Sequence, residues 1–222
     1  LINKTLILLI LALLLCHCNV ACYTKFTMKK KDSLPQPRSA LSALSAYIPG
    51  QSDETKLKLS SNENPKGCCL SKEELHDCLG HVSLYPNPTQ HPLTPRLCAL
   101  HICEATNIIL SNGSDECFQL IAQAYLNPGD EVLSSQHTFS VYKSVTLLMD
   151  AHYKTAPMTQ YATDLDALCN AITSKTRIIF IANPNNPTGD FLSVSKIETF
   201  LNQVPSNILV VLDEAYKDYV QA

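Results

Sequence analysis

The chain has 222 residues, 45% hydrophobic and 17% charged, which suffices for a substantial buried core and excludes a disordered chain. Its 17 Lys and Arg against 20 Asp and Glu leave a formal charge of -3, with no basic stripe that would release counterions from a polynucleotide, so nucleic-acid binding is not expected. Ten cysteines (Cys16, Cys18, Cys22, Cys68, Cys69, Cys78, Cys98, Cys103, Cys117 and Cys169) include no Cys-x-x-Cys pair, which argues against a zinc site and for reduced thiols, with Cys117 and Cys169 in the core.

The chain opens on LINKTLILLILALLLCHCNVAC, whose unbroken apolar run Leu6 to Leu15 has the character of a signal-peptide core and is too short to span a bilayer as a helix. Met28 is followed by a polar lead-in, so residues 1–27 read either as upstream sequence ahead of a cytoplasmic protein or as an export leader. Residues 28–70 form an arm, Ser, Pro and Ala rich from Ser33 to Ile48, and then a short alternating strand in KLKLSSNENPKG. In SKEELHDCL, Ser71 and Glu74 make a capping box that starts a helix. After the Pro-punctuated loop YPNPTQHP, LTPRLCALHIC is expected to be a helix presenting Leu93, Leu97, Leu100 and Ile102 to a core.

From residue 106 the pattern is regular. TNIILS, EVLSS, HYKTA, RIIFIA and NILVVLDEA read as strands, and SDECFQLIAQAYL, FSVYKSVTLLM, DLDALCNAI and SVSKIETFLNQV as the helices between them. Strands that are continuous Ile and Val runs and alternate with helices imply an α/β domain over residues 71–222, a three-layer α/β/α arrangement around a mostly parallel sheet. In such sheets the strand-to-helix loops open on one edge, so functional groups collect at the carboxyl ends of the strands.

Three loops stand at that edge. SNGSDE places Gly113, Ser114 and Asp115 where a helix begins, which suits either an anion on the first free N-H groups or a plain N-cap by Ser114 or Asp115. NPNNPTG cannot continue a strand, because Pro184 and Pro187 lack the amide donor, so its asparagines are held at the rim. In DEAY, Asp213 and Glu214 end the apolar run ILVVL, where a carboxylate is costly unless it meets a positive partner, and the local sequence has none. A ligand cation such as a protonated ring nitrogen would supply it. A phosphate cradle, a rim amide, a carboxylate and a tyrosine at successive strand ends together match what pyridoxal phosphate needs.

The run KLSSNENPKG, YPNPTQHPL, ILSNGSDECFQLIAQAYLNPGDEVL, HTFSVY, IIFIANPNNPTG and VVLDEAYKDYV resembles the histidinol-phosphate aminotransferases, of the fold-type-I pyridoxal-phosphate family, over about residues 40–222. The resemblance implies pyridoxal 5'-phosphate as cofactor and amino transfer between histidinol phosphate and 2-oxoglutarate. It further implies Ser114 and Asp115 at the cofactor phosphate, Phe139 stacked on the ring, Asp213 at the pyridine nitrogen, and Asn186 and Tyr216 at the phenolic oxygen. Tyr85 matches the tyrosine that reaches the cofactor phosphate of a neighbouring subunit, which implies a homodimer, and Tyr47 and Asn64 fall where the family contacts substrate.

One element of the pattern has no counterpart. The family's Schiff-base lysine follows a serine well downstream of the DEAY strand, whereas Lys217 stands directly beyond that strand in another context. No catalytic lysine is therefore assigned in these residues, transamination by residues 1–222 alone is not expected, and a fragment with an uncovered sheet edge is expected to be poorly soluble. The alternatives are another fold-type-I enzyme, such as a threonine-phosphate decarboxylase or an aromatic aminotransferase, and an exported, non-enzymatic binding module.

Overall fold

The computed structural model describes residues 38–44, 55–56, 58–59, 61–63, 66–80, 82–85 and 91–220, all but Arg38 within one unit, residues 39–222. The leader, Tyr47 and Asn64 lie outside the described residues. Among the described residues no helix is long and apolar enough to cross a membrane.

Ahead of the sheet come a 3-10 turn at Ser39–Ala43 and two short helices, α1 (Lys72–Leu79) and α2 (Leu93–His101). The capping box is present: the Glu74 N-H donates to Ser71 Oγ at 3.1 Å, and the Ser71 N-H donates to the Glu74 carboxylate at 2.8 Å. The same bonds hold the Glu74 carboxyl below the usual range. Helix α2 forms, but its apolar residues do not reach a core. Leu93 and Leu100 are exposed, Leu97 is only half-buried, and Ile102 is 94% exposed in left-handed backbone at the helix end. The physical reason is that α2 packs chiefly on the short turn Ala105–Asn107 among the described elements, which is too small to cover its apolar side.

The strand expected at 106–111 is also absent. Ala105–Asn107 is a 3-10 turn closed by hydrogen bonds between Glu104 and Asn107, and Ile108 beyond it is extended but has no ladder partner. β-branched residues favour extended backbone, yet a strand exists only through pairing. Likewise Lys56, Lys58, Leu59 and Ser61, the described residues of the KLKLSS segment, carry no strand.

From residue 113 onward the expected alternation is realised as α3 (Gly113–Tyr125), β1 (Glu131–Ser135), α4 (Val141–Leu148), β2 (His152–Ala156), α5 (Leu165–Asn170), β3 (Thr176–Ala182), α6 (Val194–Gln203) and β4 (Leu209–Asp213). The four strands pair in parallel in the order β2-β1-β3-β4. Alternate residues of β3 enter opposite cores. Ile178, Phe180 and Ala182 join Phe118, Ala122, Tyr142 and Val145 of α3 and α4, whereas Ile179 and Ile181 join Leu168 and Phe200 of α5 and α6. Helices thus cover both faces, which is why β3 reads as an unbroken apolar run rather than an alternating one. Each large side chain fully buried there contributes about 1.5–3 kcal/mol.

The order also locates the open edge. After β1 the chain moves outward to β2, then crosses back to β3 and continues to β4, so the direction reverses between β1 and β3. Such a switch point leaves a crevice at the carboxyl ends of the strands. The seven described cysteines are free; Cys117 and Cys169 are half-buried rather than fully buried, and burial and the Asp166 charge raise the Cys169 thiol above its usual range. Among the described residues no cluster suited to a metal ion occurs.

Candidate functional site

The loops after β1 and β3 are tied across the switch point by one side chain. Asn185 is 3% exposed; its Oδ1 accepts from the Thr138 hydroxyl at 2.8 Å, and its Nδ2 donates to the His137 carbonyl at 2.9 Å and to Thr188 Oγ1 at 2.8 Å. Asn183 is equally occupied, donating to the Leu192 carbonyl at 3.0 Å and accepting from the Leu192 N-H at 2.7 Å. Both peptide bonds preceding Pro184 and Pro187 are cis. Two of the three asparagines therefore build the loop. Asn186 is left half-exposed at the rim, with no side-chain hydrogen bond among the described residues.

Asn186 lines a cavity of about 390 Å³ together with Asn62, Glu63, Tyr216 and Tyr219. Asn62 Nδ2 donates to the Tyr216 hydroxyl oxygen at 3.1 Å, so the arm before α1 returns to the loop after β4. A larger cavity, about 630 Å³, lies along the 159–166 loop and α6 and contains none of the expected site residues. The smaller one is the candidate site because it sits at the strand ends and gathers Asn186 and Tyr216.

Asp213 ends β4, half-buried. Its Oδ2 accepts from the Tyr142 hydroxyl at 2.5 Å and its Oδ1 from the Ala215 N-H at 3.1 Å, while its carbonyl receives the Asn183 N-H at 2.8 Å. No cationic side chain pairs with it among the described residues; Lys217 instead pairs with the exposed Glu214 at 3.0 Å. Tyr142, on α4, is fully buried and stacked on Phe180 at 4.6 Å, with Phe118 and Phe139 edge-on at 5.1 and 5.7 Å. Burial first, then the bond and charge of Asp213, with smaller contributions from Tyr153 and Asp115, push the Tyr142 phenol far above the usual tyrosine range. It stays a neutral donor at any ordinary pH.

Phe139 packs at the start of α4 against Phe118 and Tyr142, which brings it into the same cluster as Asp213. Ser114 and Asp115 occupy the first turn of the 13-residue α3, half-buried and exposed respectively. The cap reading for these two is not realised, since Asn112 is the N-cap and Glu116 returns to its N-H and to its amide Nδ2. Gly113, in left-handed backbone at φ 75, lets the chain turn directly into the helix. The first-turn N-H groups of Ser114 and Asp115 precede any intrahelical acceptor and suit an anion.

The structure thus assembles Asp213, Tyr142 and Phe139 in one cluster and Asn186, Tyr216 and Asn62 in another, joined through the short segment from Asp213 to Tyr216. Tyr85 is 99% exposed and touches neither. Sequence reading missed Tyr142 and Asn62. The first had a usable signal, an aromatic three residues after Phe139 on the expected helix; the second had none beyond its place in the Asn-rich SSNENP segment.

A family model described as aminotransferase class I and II matches residues 54–222. A histidinol-phosphate aminotransferase of Erythrobacter litoralis is 42% identical over 193 residues, 85% of this chain and 53% of that protein. Histidinol-phosphate aminotransferase 1 of Idiomarina loihiensis is 44% identical over 165 residues, 74% of this chain and 45% of that protein. The chain spans about half the length of the curated relatives it matches. Among solved structures, histidinol-phosphate aminotransferase from Sinorhizobium meliloti in complex with pyridoxal-5'-phosphate superposes with a TM-score of 0.63 at 24% identity, covering 66% of this chain and 40% of that one. N-succinyldiaminopimelate aminotransferase from Mycobacterium tuberculosis gives 0.59 at 28% identity, with 64% and 40% covered.

Proposed function

Because the chain belongs to the aminotransferase class I and II family, we propose that it binds pyridoxal 5'-phosphate at the open edge of its sheet and serves amino transfer from histidinol phosphate to 2-oxoglutarate, giving imidazole-acetol phosphate and glutamate. The observation that carries the cofactor reading is Asp213, a half-buried carboxylate with a donor on each oxygen and no cationic partner among the described residues. A carboxylate so placed suits the protonated nitrogen of a pyridine ring. The names of the relatives at 37–44% identity support the substrate.

When bound, the protonated ring supplies the electron sink for cleavage of the C-H bond beside the amino group. The chain's own residues bind and orient. Asp213 holds the ring nitrogen's proton, Asn186 and Tyr216 donate to the phenolic oxygen, and the Phe139 ring covers one face. Ser114 and Asp115 present first-turn N-H groups, and the Ser114 hydroxyl, to the phosphate. Tyr85, 99% exposed, reaches the phosphate of a second copy, so the working form is a homodimer. Tyr47 and Asn64 contact substrate. The protein works in the cytoplasm, with residues 28–70 as arm and 71–222 as part of the cofactor-binding domain.

The test is glutamate formation by the protein expressed in full from its gene, with 2-oxoglutarate and either histidinol phosphate, threonine phosphate or an aromatic amino acid. Turnover with histidinol phosphate at least tenfold above the others is expected. Preference for an aromatic amino acid, or carbon dioxide release from threonine phosphate, would refute the substrate assignment.

A further inference from the structure

We propose that Tyr142 is a positioning residue for the cofactor: through its hydroxyl on Asp213 it fixes the carboxylate that faces the ring nitrogen. The proposal rests on the reading of Asp213 given above and adds a residue that lies one layer behind it, 71 positions away in sequence.

Three observations carry it. The hydroxyl donates to Asp213 Oδ2 at 2.5 Å while the Ala215 N-H holds Oδ1 at 3.1 Å, so the carboxylate is fixed from both sides and each oxygen keeps a lone pair for a ligand. The Tyr142 ring cannot swing away. It is 0% exposed, parallel within 4° to Phe180, and boxed edge-on by Phe118 and Phe139. Finally, Asp213 is the acceptor the hydroxyl bonds among the described residues. The charged or titratable groups around the phenol are Asp213 itself, Asp115 from α3 and Tyr153 from β2, and Tyr153 is already bonded to Ser134. A neutral donor in a rigid aromatic box is suited to setting a carboxylate's direction without neutralising its charge, which a lysine or arginine in its place would do.

Phe139 belongs to the same box, so the face of the ring and its nitrogen are set by one packed unit. Displacement of Tyr142 would therefore disturb where the ring nitrogen meets Asp213 before it disturbs the phosphate or phenolic contacts. This makes the predicted defect specific to the nitrogen.

The experiment compares Tyr142→Phe with the parent protein, expressed in full, by equilibrium titration with pyridoxal 5'-phosphate and with its 1-deaza analogue, in which carbon replaces the ring nitrogen. The parent is expected to prefer the natural cofactor at least tenfold. In Tyr142→Phe, which keeps the stacked ring, that preference is expected to shrink about tenfold, with affinity for the deaza analogue unchanged. Equal weakening toward both ligands, or an undiminished preference, overturns the positioning role while leaving Asp213 in place. A parent that does not discriminate overturns the Asp213 assignment and the proposal with it. Should Tyr142→Phe not fold, 3,5-difluorotyrosine at position 142 is read instead. Its more acidic hydroxyl is a stronger donor, so the preference should rise; an unchanged preference overturns the proposal.

Discussion

Replacing Asn185 by alanine removes the side chain that joins the loop after β1 to the loop after β3. Three hydrogen bonds are lost, to the Thr138 hydroxyl, the His137 carbonyl and Thr188 Oγ1, all between 2.8 and 2.9 Å and at a residue 3% exposed. At about 1 kcal/mol net for each, the cost is about 3 kcal/mol, and partners left without water raise it further. Asn186→Ala is the control. It lies one residue on and makes no side-chain hydrogen bond among the described residues, so its cost is about 0.5 kcal/mol or less. Urea unfolding followed by far-ultraviolet circular dichroism measures both, with a lowered midpoint at unchanged slope for Asn185→Ala. If the two variants unfold alike, the division of the asparagines into builders and a ligand-facing residue is refuted.

Two further predictions concern the base and centre of the sheet. Glu131, buried at the start of β1, accepts from the Thr173 hydroxyl, which chiefly holds its carboxyl below the usual range against the opposing effect of burial, with Lys154 at 2.9 Å and Lys175 assisting. A depressed folded-state value contributes stability that is present above the unfolded carboxylate range, about pH 4.3, and is lost as pH falls through the folded value. Glu131→Gln should therefore cost about 1–2 kcal/mol in urea at pH 7 and flatten the loss of stability on acidification; an unchanged acid profile contradicts the assignment. Phe180→Ala, emptying a site 1% exposed between Tyr142 and Phe118, should cost about 3–5 kcal/mol in the same assay, and a cost below about 1 kcal/mol would contradict the packing described.

Much of the fold was legible because β3 and β4 are short runs of Ile, Val and Phe bounded by breakers, and the helices between them carry a clear apolar period. Strand ends were legible for the same reason: Pro184 and Pro187 stop pairing wherever they stand. Segments whose structure depends on a distant partner were not. ILS at 109–111 has the composition of a strand, but no neighbour pairs with it among the described residues, and the apolar residues of α2 stay exposed or half-buried. The site divides likewise. That Asp213 needs a partner followed from its place after an apolar run, whereas the donor that meets it comes from α4, 71 residues earlier, and only the parallel order of β1, β3 and β4 brings them together. The N-cap of α3 fell to Asn112 because Gly113 adopts left-handed backbone, a choice that local propensity does not determine.

The most direct test of the cofactor site is the affinity of the protein, expressed in full, for pyridoxal 5'-phosphate before and after Asp213→Ala. Losing a charge-assisted bond worth about 1.5–3 kcal/mol predicts a dissociation constant raised about 10- to 150-fold in Asp213→Ala with the fold intact by circular dichroism. Binding of equal strength in the two proteins would contradict the account.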